Sequence, residues 1–184
     1  GGQSTRPGYT AVSPEEEWAR IQAVVPAVVR ETGLAVSVDT FYPWVAEKAL
    51  EAGVQIINDV SGFGDEMLQA VAVSGCGCIV MHPRGAQHGD ILREVKSFFE
   101  ERLRAAECFG VGKSRLCFDP GVGFGKTYED NLKLIAHVEK TRLPETAFLM
   151  AASRKRVTGQ PCGNPPFEER LPATLAAHTA AILG

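Results

Sequence analysis

Parallel β/α architecture is the fold class this sequence predicts, and three observations carry the prediction. Short apolar runs suited to buried strands recur at Leu34 to Val38, Val54 to Ile57, Cys78 to Met81, Leu116 to Phe118 and Ala147 to Met150. Between them lie longer stretches with helical spacing of apolar residues, so strands and helices alternate. Nearly every run is followed by a polar residue able to do chemistry: Asp39, Asn58, His82, Asp119 and, a little further on, Ser153. That placement favours a (β/α) barrel, whose active sites are built from the carboxyl ends of several strands. An open doubly wound sheet also binds ligands at those ends, so the placement alone leaves both arrangements standing.

In chain order, Ser13, Pro14, Glu15 and Glu16 begin the first helix, with a serine cap, proline at the first helical position and a glutamate placed to complete a capping box. Trp18, Ile21, Val25 and Val28 form its apolar stripe, and Pro26 predicts a kink or a lost hydrogen bond within it. Further helices are expected from about Pro43 to Ala52, near Glu66 to Val73 and from about Ile91 to Phe109. The last two run from near Glu129 to Glu139 and from about Glu168 to the end of the sequence. A complete barrel needs eight strands and typically about 250 residues. The expectation is therefore an incomplete barrel of about five strands, lacking the first two units and the last strand.

Composition narrows the function classes. The 184 residues, 45% hydrophobic and 22% charged, suffice for a substantial core and fit a single compact domain over 1–184. A formal net charge of -3, with Lys and Arg scattered apart from Arg154, Lys155 and Arg156, leaves no electrostatic footprint for nucleic acid or an anionic membrane. No apolar run approaches the roughly 20 residues of a membrane span, and the polar start is unlike a signal peptide, so a soluble cytoplasmic protein is expected. Five cysteines, an odd number without metal-type spacing, predict reduced thiols. Cys76 and Cys78 fall on one strand face and read as core. No two of His82, His88, His137 and His178 are spaced for zinc on one helix. His82 is placed to face a pocket, whereas His137 and His178 fall within helical patterns.

The stretch from Asp119 to Lys126 is the most distinctive. An acid closes an apolar run, Pro120 stops it, and glycine then stands at 121, 123 and 125. Alternating glycines let backbone amides approach a bound group, although an ordinary turn has the same composition. A phosphate-cradling P-loop needs glycine where this chain has Pro120, and the even spacing fails the dinucleotide fingerprint.

Five segments in order carry a resemblance: GGQSTRPG at Gly1 to Gly8, SVDT at Ser37 to Thr40, INDVSG at Ile57 to Gly62, DPGVGFGK at Asp119 to Lys126, and SRKR at Ser153 to Arg156. Together they resemble the bacterial dihydropteroate synthase family. The resemblance implies a (β/α)8 TIM barrel, here truncated, that joins 6-hydroxymethyl-7,8-dihydropterin diphosphate to 4-aminobenzoate and releases diphosphate in folate biosynthesis. Carried over by motif, Asp39, Asn58, Asp119 and Lys155 line the pterin pocket, with Met81 as an apolar wall, Gly123 among the substrate-binding residues and Phe124 beside the aminobenzoate. Thr5, Arg6 and Pro7 belong to a loop that closes over diphosphate and aminobenzoate, and Ser153 helps to recognise the aminobenzoate carboxylate. Asp39 and Lys155 are the expected catalytic pair, with Asp39 stabilising a cation delocalised into the pterin. Mg²⁺ is the expected cofactor, held by diphosphate and water, since the family's metal-associated asparagine has no counterpart in this sequence.

The same resemblance implies a homodimer in the full-length parent, a sulfonamide target, and no nucleic-acid or membrane partner. The segment holding diphosphate is also without a counterpart, so the 184-residue chain alone is expected to be inactive or poorly folded. Ala151 stands where the family commonly has glycine. Two other readings share the barrel: the pterin-binding module of a corrinoid-dependent methyltransferase, and a binding relic that holds a pterin without turnover.

Overall fold

The computed structural model describes residues 2–4, 10–87 and 89–184. Within them the order is α1 (Pro14–Ile21), α2 (Val24–Thr32), β1 (Ser37–Asp39), α3 (Pro43–Glu51), β2 (Ile56–Asp59), α4 (Asp65–Val71), β3 (Gly77–Met81), α5 (Ile91–Cys108), β4 (Leu116–Asp119), α6 (Tyr128–Ala136), α7 (Val138–Thr141), β5 (Ala147–Phe148), α8 (Arg156–Gly159) and α9 (Leu171–Leu183). All four strand pairings are parallel, and the spatial order follows the chain, β1-β2-β3-β4-β5. A doubly wound sheet reverses its strand order at a switch point, and this sheet has none. It is an arc of a (β/α) barrel, as expected.

Register divides the arc into two faces, because successive side chains alternate. Val38, Ile57, Cys78, Val80, Leu116 and Phe118 belong to the buried cluster that also holds Ala46, Leu68, Val95, Phe99 and Leu134 from the helices. The Phe99 and Phe118 rings lie 4.7 Å apart between centroids. The opposite face carries Asp39 level with Asn58, Asn58 with Ile79, Ile79 with Cys117, and Met81 with Asp119. Chemistry-bearing side chains thus collect on the concave side at the carboxyl ends.

Several boundaries differ from the sequence-based expectation. The ladder of β1 starts at Ser37, three residues later than Leu34, because Gly33 ends α2 in the left-handed conformation (φ 63) and Leu34 is 69% exposed. Val54 closes the turn after α3 through a bond to the Ala49 carbonyl, so β2 begins at Ile56. The first helix does not kink at Pro26. It breaks at Gln22 and Ala23, upstream, since the ring of a proline excludes the carbonyl four residues earlier. Ser13 accepts from the Glu16 amide at 3.2 Å, while the Glu16 carboxylate pairs with Arg20 on the next turn. His137 separates α6 from α7 with φ -133 and ψ 52, and is a break rather than a helix residue. Residues 156–159 form an unforeseen helical turn, and the final helix starts at Leu171 behind a 3-10 turn at Phe167–Arg170. No helix among the described residues is long and apolar enough to cross a membrane.

Candidate active site

β1 and β2 deliver the first pair of groups. Asn58 Nδ2 donates to Asp39 Oδ1 at 2.7 Å, and Asn58 Oδ1 is buried without a hydrogen-bond partner. A buried carbonyl oxygen left unmatched is rare and calls for a donor from elsewhere. The next residue along, Asp59, faces the other way and is 1% exposed. Its carboxylate accepts from Ser61 N at 2.6 Å and Phe63 N at 3.0 Å, an Asx-type turn that holds Phe63 at φ 57. Burial raises its pKa against those hydrogen bonds. Of two adjacent polar residues, then, Asn58 serves the concave face and Asp59 the loop.

Thr40, just past Asp39, is tied to α1. Its hydroxyl donates to Glu17 Oε2 at 3.1 Å and accepts from Tyr42 N at 3.1 Å. Glu17 is 1% exposed, and burial pushes its pKa up.

β4 delivers Asp119, which is 4% exposed and accepts from Gly121 N at 2.7 Å through Oδ1. Burial raises its pKa, and the Gly121 amide, Lys155 and Lys126 oppose the rise. Gly121, Gly123 and Gly125 all sit at positive φ, at 68°, 86° and 62°. A Cβ on Gly121 would stand 2.2 Å from the His82 carbonyl oxygen, and one on Gly123 would stand 3.2 Å from Lys155 Cδ. The glycine alternation is therefore a condition of close approach, not an ordinary loose turn.

Lys155, before α8, reaches across this loop. Its ammonium donates to the Val122 carbonyl and lies 4.8 Å from the centre of the Phe124 ring. A cation over an aromatic face is an attractive contact. Burial lowers the Lys155 pKa, with Asp119 acting in the opposite direction. Met81 is 1% exposed and pairs in register with Asp119, consistent with an apolar wall. Ser153 is exposed in the turn before Lys155, and Ala151 is half-buried. Thr5, Arg6 and Pro7 lie outside the described residues.

Asp39 with Asn58 at the ends of β1 and β2, and Asp119 with Lys155, Gly123 and Phe124 at the end of β4, thus form two groups on the same face of the sheet with β3 between them. Ser153 stands in the same connection as Lys155. Two buried residues have roles that the sequence does not disclose: Asn131, and Lys126 at the end of the glycine motif. Asn131 accepts from Gly123 N at 2.6 Å and donates to the Lys126 and Thr127 carbonyls at 3.3 and 2.7 Å. Lys126 is 8% exposed and bonds two carbonyls. Only the length of polar side chains in the first turn of α6, next to a glycine loop, hinted at Asn131. His82 is 3% exposed, with Nδ1 buried and unpartnered, and burial followed by Lys126 and Arg84 lowers its pKa to about 4. Its ring packs edge-on to Phe98 at 5.0 Å, so it belongs to the outer side of the sheet rather than the concave site.

Among the described residues no three or more His, Cys, Asp or Glu side chains converge as a metal site. The donor set on the concave face is instead one of carboxylates, an amide and an ammonium, suited to a planar heterocycle with donors and acceptors along its edge.

Known proteins resemble this chain over its whole length. A profile of the family described as pterin binding enzyme matches residues 1–184. The dihydropteroate synthase of Clostridium beijerinckii is 36% identical over 186 residues, covering all of this chain and 69% of the relative. The crystallised dihydropteroate synthase of Xanthomonas albilineans with 4-aminobenzoic acid superimposes with a TM-score of 0.92 at 40% identity, covering 100% of this chain and 68% of that one. The same organism's enzyme in complex with 7,8-dihydropteroate gives 0.88 at 38% identity, over 95% and 69% of the two chains. With the whole sequence matched and the polar groups gathered at the strand ends, the chain belongs to the pterin-binding enzymes, in their dihydropteroate synthase branch.

Proposed function

We propose that this chain is the pterin-reading part of a dihydropteroate synthase, a transferase of folate biosynthesis that condenses 6-hydroxymethyl-7,8-dihydropterin diphosphate with 4-aminobenzoate and releases diphosphate. The observation that carries the role of the residues is the buried Asp119 carboxylate set beside the Lys155 ammonium, with the orphaned Asn58 Oδ1 on the same face. Asp119 accepts from the ring N–H and 2-amino group of a pterin, Asn58 Oδ1 takes a further donor, and Lys155 donates to the ring oxygen or nitrogen. Phe124 provides the aromatic wall for the aminobenzoate, and Met81 the apolar wall.

In the condensation the methylene carbon–oxygen bond breaks, the electron pair leaves with diphosphate, and the aryl amine attacks the resulting cation. Asp39 is an exposed carboxylate at the end of β1, on the face that carries Asn58 and held by its amide, and we assign it the stabilisation of that cation, an effect strongest when the charge is preorganised. Mg²⁺ would neutralise the departing diphosphate, held by diphosphate and water, since the described residues offer it no cage. The homodimer and the cytoplasmic setting belong to the same reading. Thr5, Arg6 and Pro7 are proposed to contact diphosphate and aminobenzoate, and Ser153 the aminobenzoate carboxylate.

Calorimetry with 6-hydroxymethylpterin tests the pocket. Wild-type chain should release heat on binding, and Asp119→Asn should weaken the affinity by about 100-fold, near 3 kcal/mol, the scale of a lost hydrogen bond to a buried charge. Equal affinity in both proteins would sink the assignment. Diphosphate release that depends on 4-aminobenzoate separates a synthase from a binding relic.

A further inference from the structure

The loops that follow β3 and β4 are joined by one buried cation. Lys126 Nζ donates to the His82 carbonyl at 3.1 Å and to the Phe124 carbonyl at 3.2 Å. The first acceptor stands just past β3 and the second inside the glycine loop, so a single side chain staples two strand ends. Gly121 is what admits it, since a Cβ there would stand 3.0 Å from Nζ as well as against the His82 oxygen. The charged and titratable groups that face Lys126 are Asp119 on β4, Lys155 before α8, Asp130 on α6 and the His82 ring beyond β3. The Asp130 carboxylate is already engaged by the Thr127 amide at 3.3 Å. Among the described residues Asp119 has two lysines around it and a backbone donor in Gly121.

We propose that Lys126 is a positioning residue for pterin recognition that acts through Asp119, stapling the two loops and supplying part of the positive charge that faces the carboxylate. The proposal rests on the pterin reading given above. A staple needs only a hydrogen-bond donor, and burying an ammonium for that purpose alone is unfavourable. The charge has a use when a buried carboxylate beside it must stay ionised to accept from a ligand. Burial lowers the Lys126 pKa to about 7, so the ammonium is present over the acidic range in which Asp119, itself raised, takes up its proton.

The test is the pH dependence of 6-hydroxymethylpterin affinity, measured by calorimetry on the full chain from about pH 5 to about pH 8, where the linked groups titrate. Lys126→Gln and Lys126→Met remove the charge, and Lys126→Arg keeps it. Both uncharged variants should move the acid limb of the affinity curve upward by about one pH unit, because Asp119 protonates more readily without its neighbour. Lys126→Arg should leave the limb at the wild-type pH whatever its absolute affinity. An equal loss at every pH, no loss at all, or unfolding of both uncharged variants would mark a structural staple and overturn the proposal. Wild-type chain that fails to bind the pterin would instead overturn the pterin reading itself, and this proposal with it.

Discussion

The β1–β2 end and the β4 loop supply the same kinds of group under opposite conditions. Asp39 is exposed and touches one partner, Asn58, at 2.7 Å. Asp119 is 4% exposed and sits within a net of Gly121, Lys126, Lys155 and, one step away, Asn131. The exposed Asp39 can be altered without disturbing the fold, whereas the buried loop is part of the fold and its chemistry is inseparable from stability. A catalytic charge that must meet a short-lived cation suits the first setting; a group that must read a ring edge in fixed geometry suits the second.

The contrast is easiest to break at Gly121. Gly121→Ala forces a methyl into the His82 carbonyl at a positive φ, and should destabilise the chain by about 4 kcal/mol in urea unfolding. A loss below about 1 kcal/mol would show the loop to be pliable. Acid should weaken the same region next. His82 in the folded chain has its pKa depressed to about 4 from 6.5, so the unfolded chain takes up the proton first as pH falls. Its contribution is present above pH 6.5 and lost on going down through about 4, ~3 kcal/mol in total. His82→Asn should flatten that drop in denaturation curves taken across the range, and an unchanged slope would acquit the histidine.

Asn131→Ala leaves the Gly123 amide and two carbonyls without their partner, and about 2 kcal/mol should be lost in the same unfolding measurement. The smallest stability effect is expected at the other end. Asp39→Asn should change unfolding by less than about 0.5 kcal/mol, as surface substitutions do. In the full-length parent it should nevertheless slow diphosphate release at least about 100-fold if the carboxylate stabilises the cation, the range seen for preorganised electrostatic groups. A large stability loss there would erase the distinction between the two regions.

Much of this was legible in the residues. Five apolar runs gave the five strands, because a parallel strand buried in the middle of a sheet is apolar nearly throughout. Their ends were misread by two or three residues, at Leu34 and Val54, because hydrophobicity marks burial whereas the ladder is fixed by the neighbouring strand. Pro26 was recognised as a breaker and its effect placed too late, since the clash acts on the carbonyl four residues before it. In the candidate site, strand ends and motifs single out Asp39, Asn58, Asp119 and Lys155. Lys126 is visible only as the last residue of the glycine motif, and Asn131 not at all, because their roles lie in bonds to backbone groups of the folded loops.

Local rules settled what needs only a short stretch of chain: the serine cap of α1, the alternation of strand and helix, the stop at Pro120 and the left-handed glycines of the loop. The assembled sheet decided the rest. Whether Asn58 or Asp59 faces the cavity turns on one step of strand register, and a step of one residue exchanges the faces. Whether Lys126 is a surface charge or a buried staple turns on where the His82 carbonyl comes to rest, 44 residues away in sequence. Such contacts are made by packing, and sequence spacing alone does not specify them.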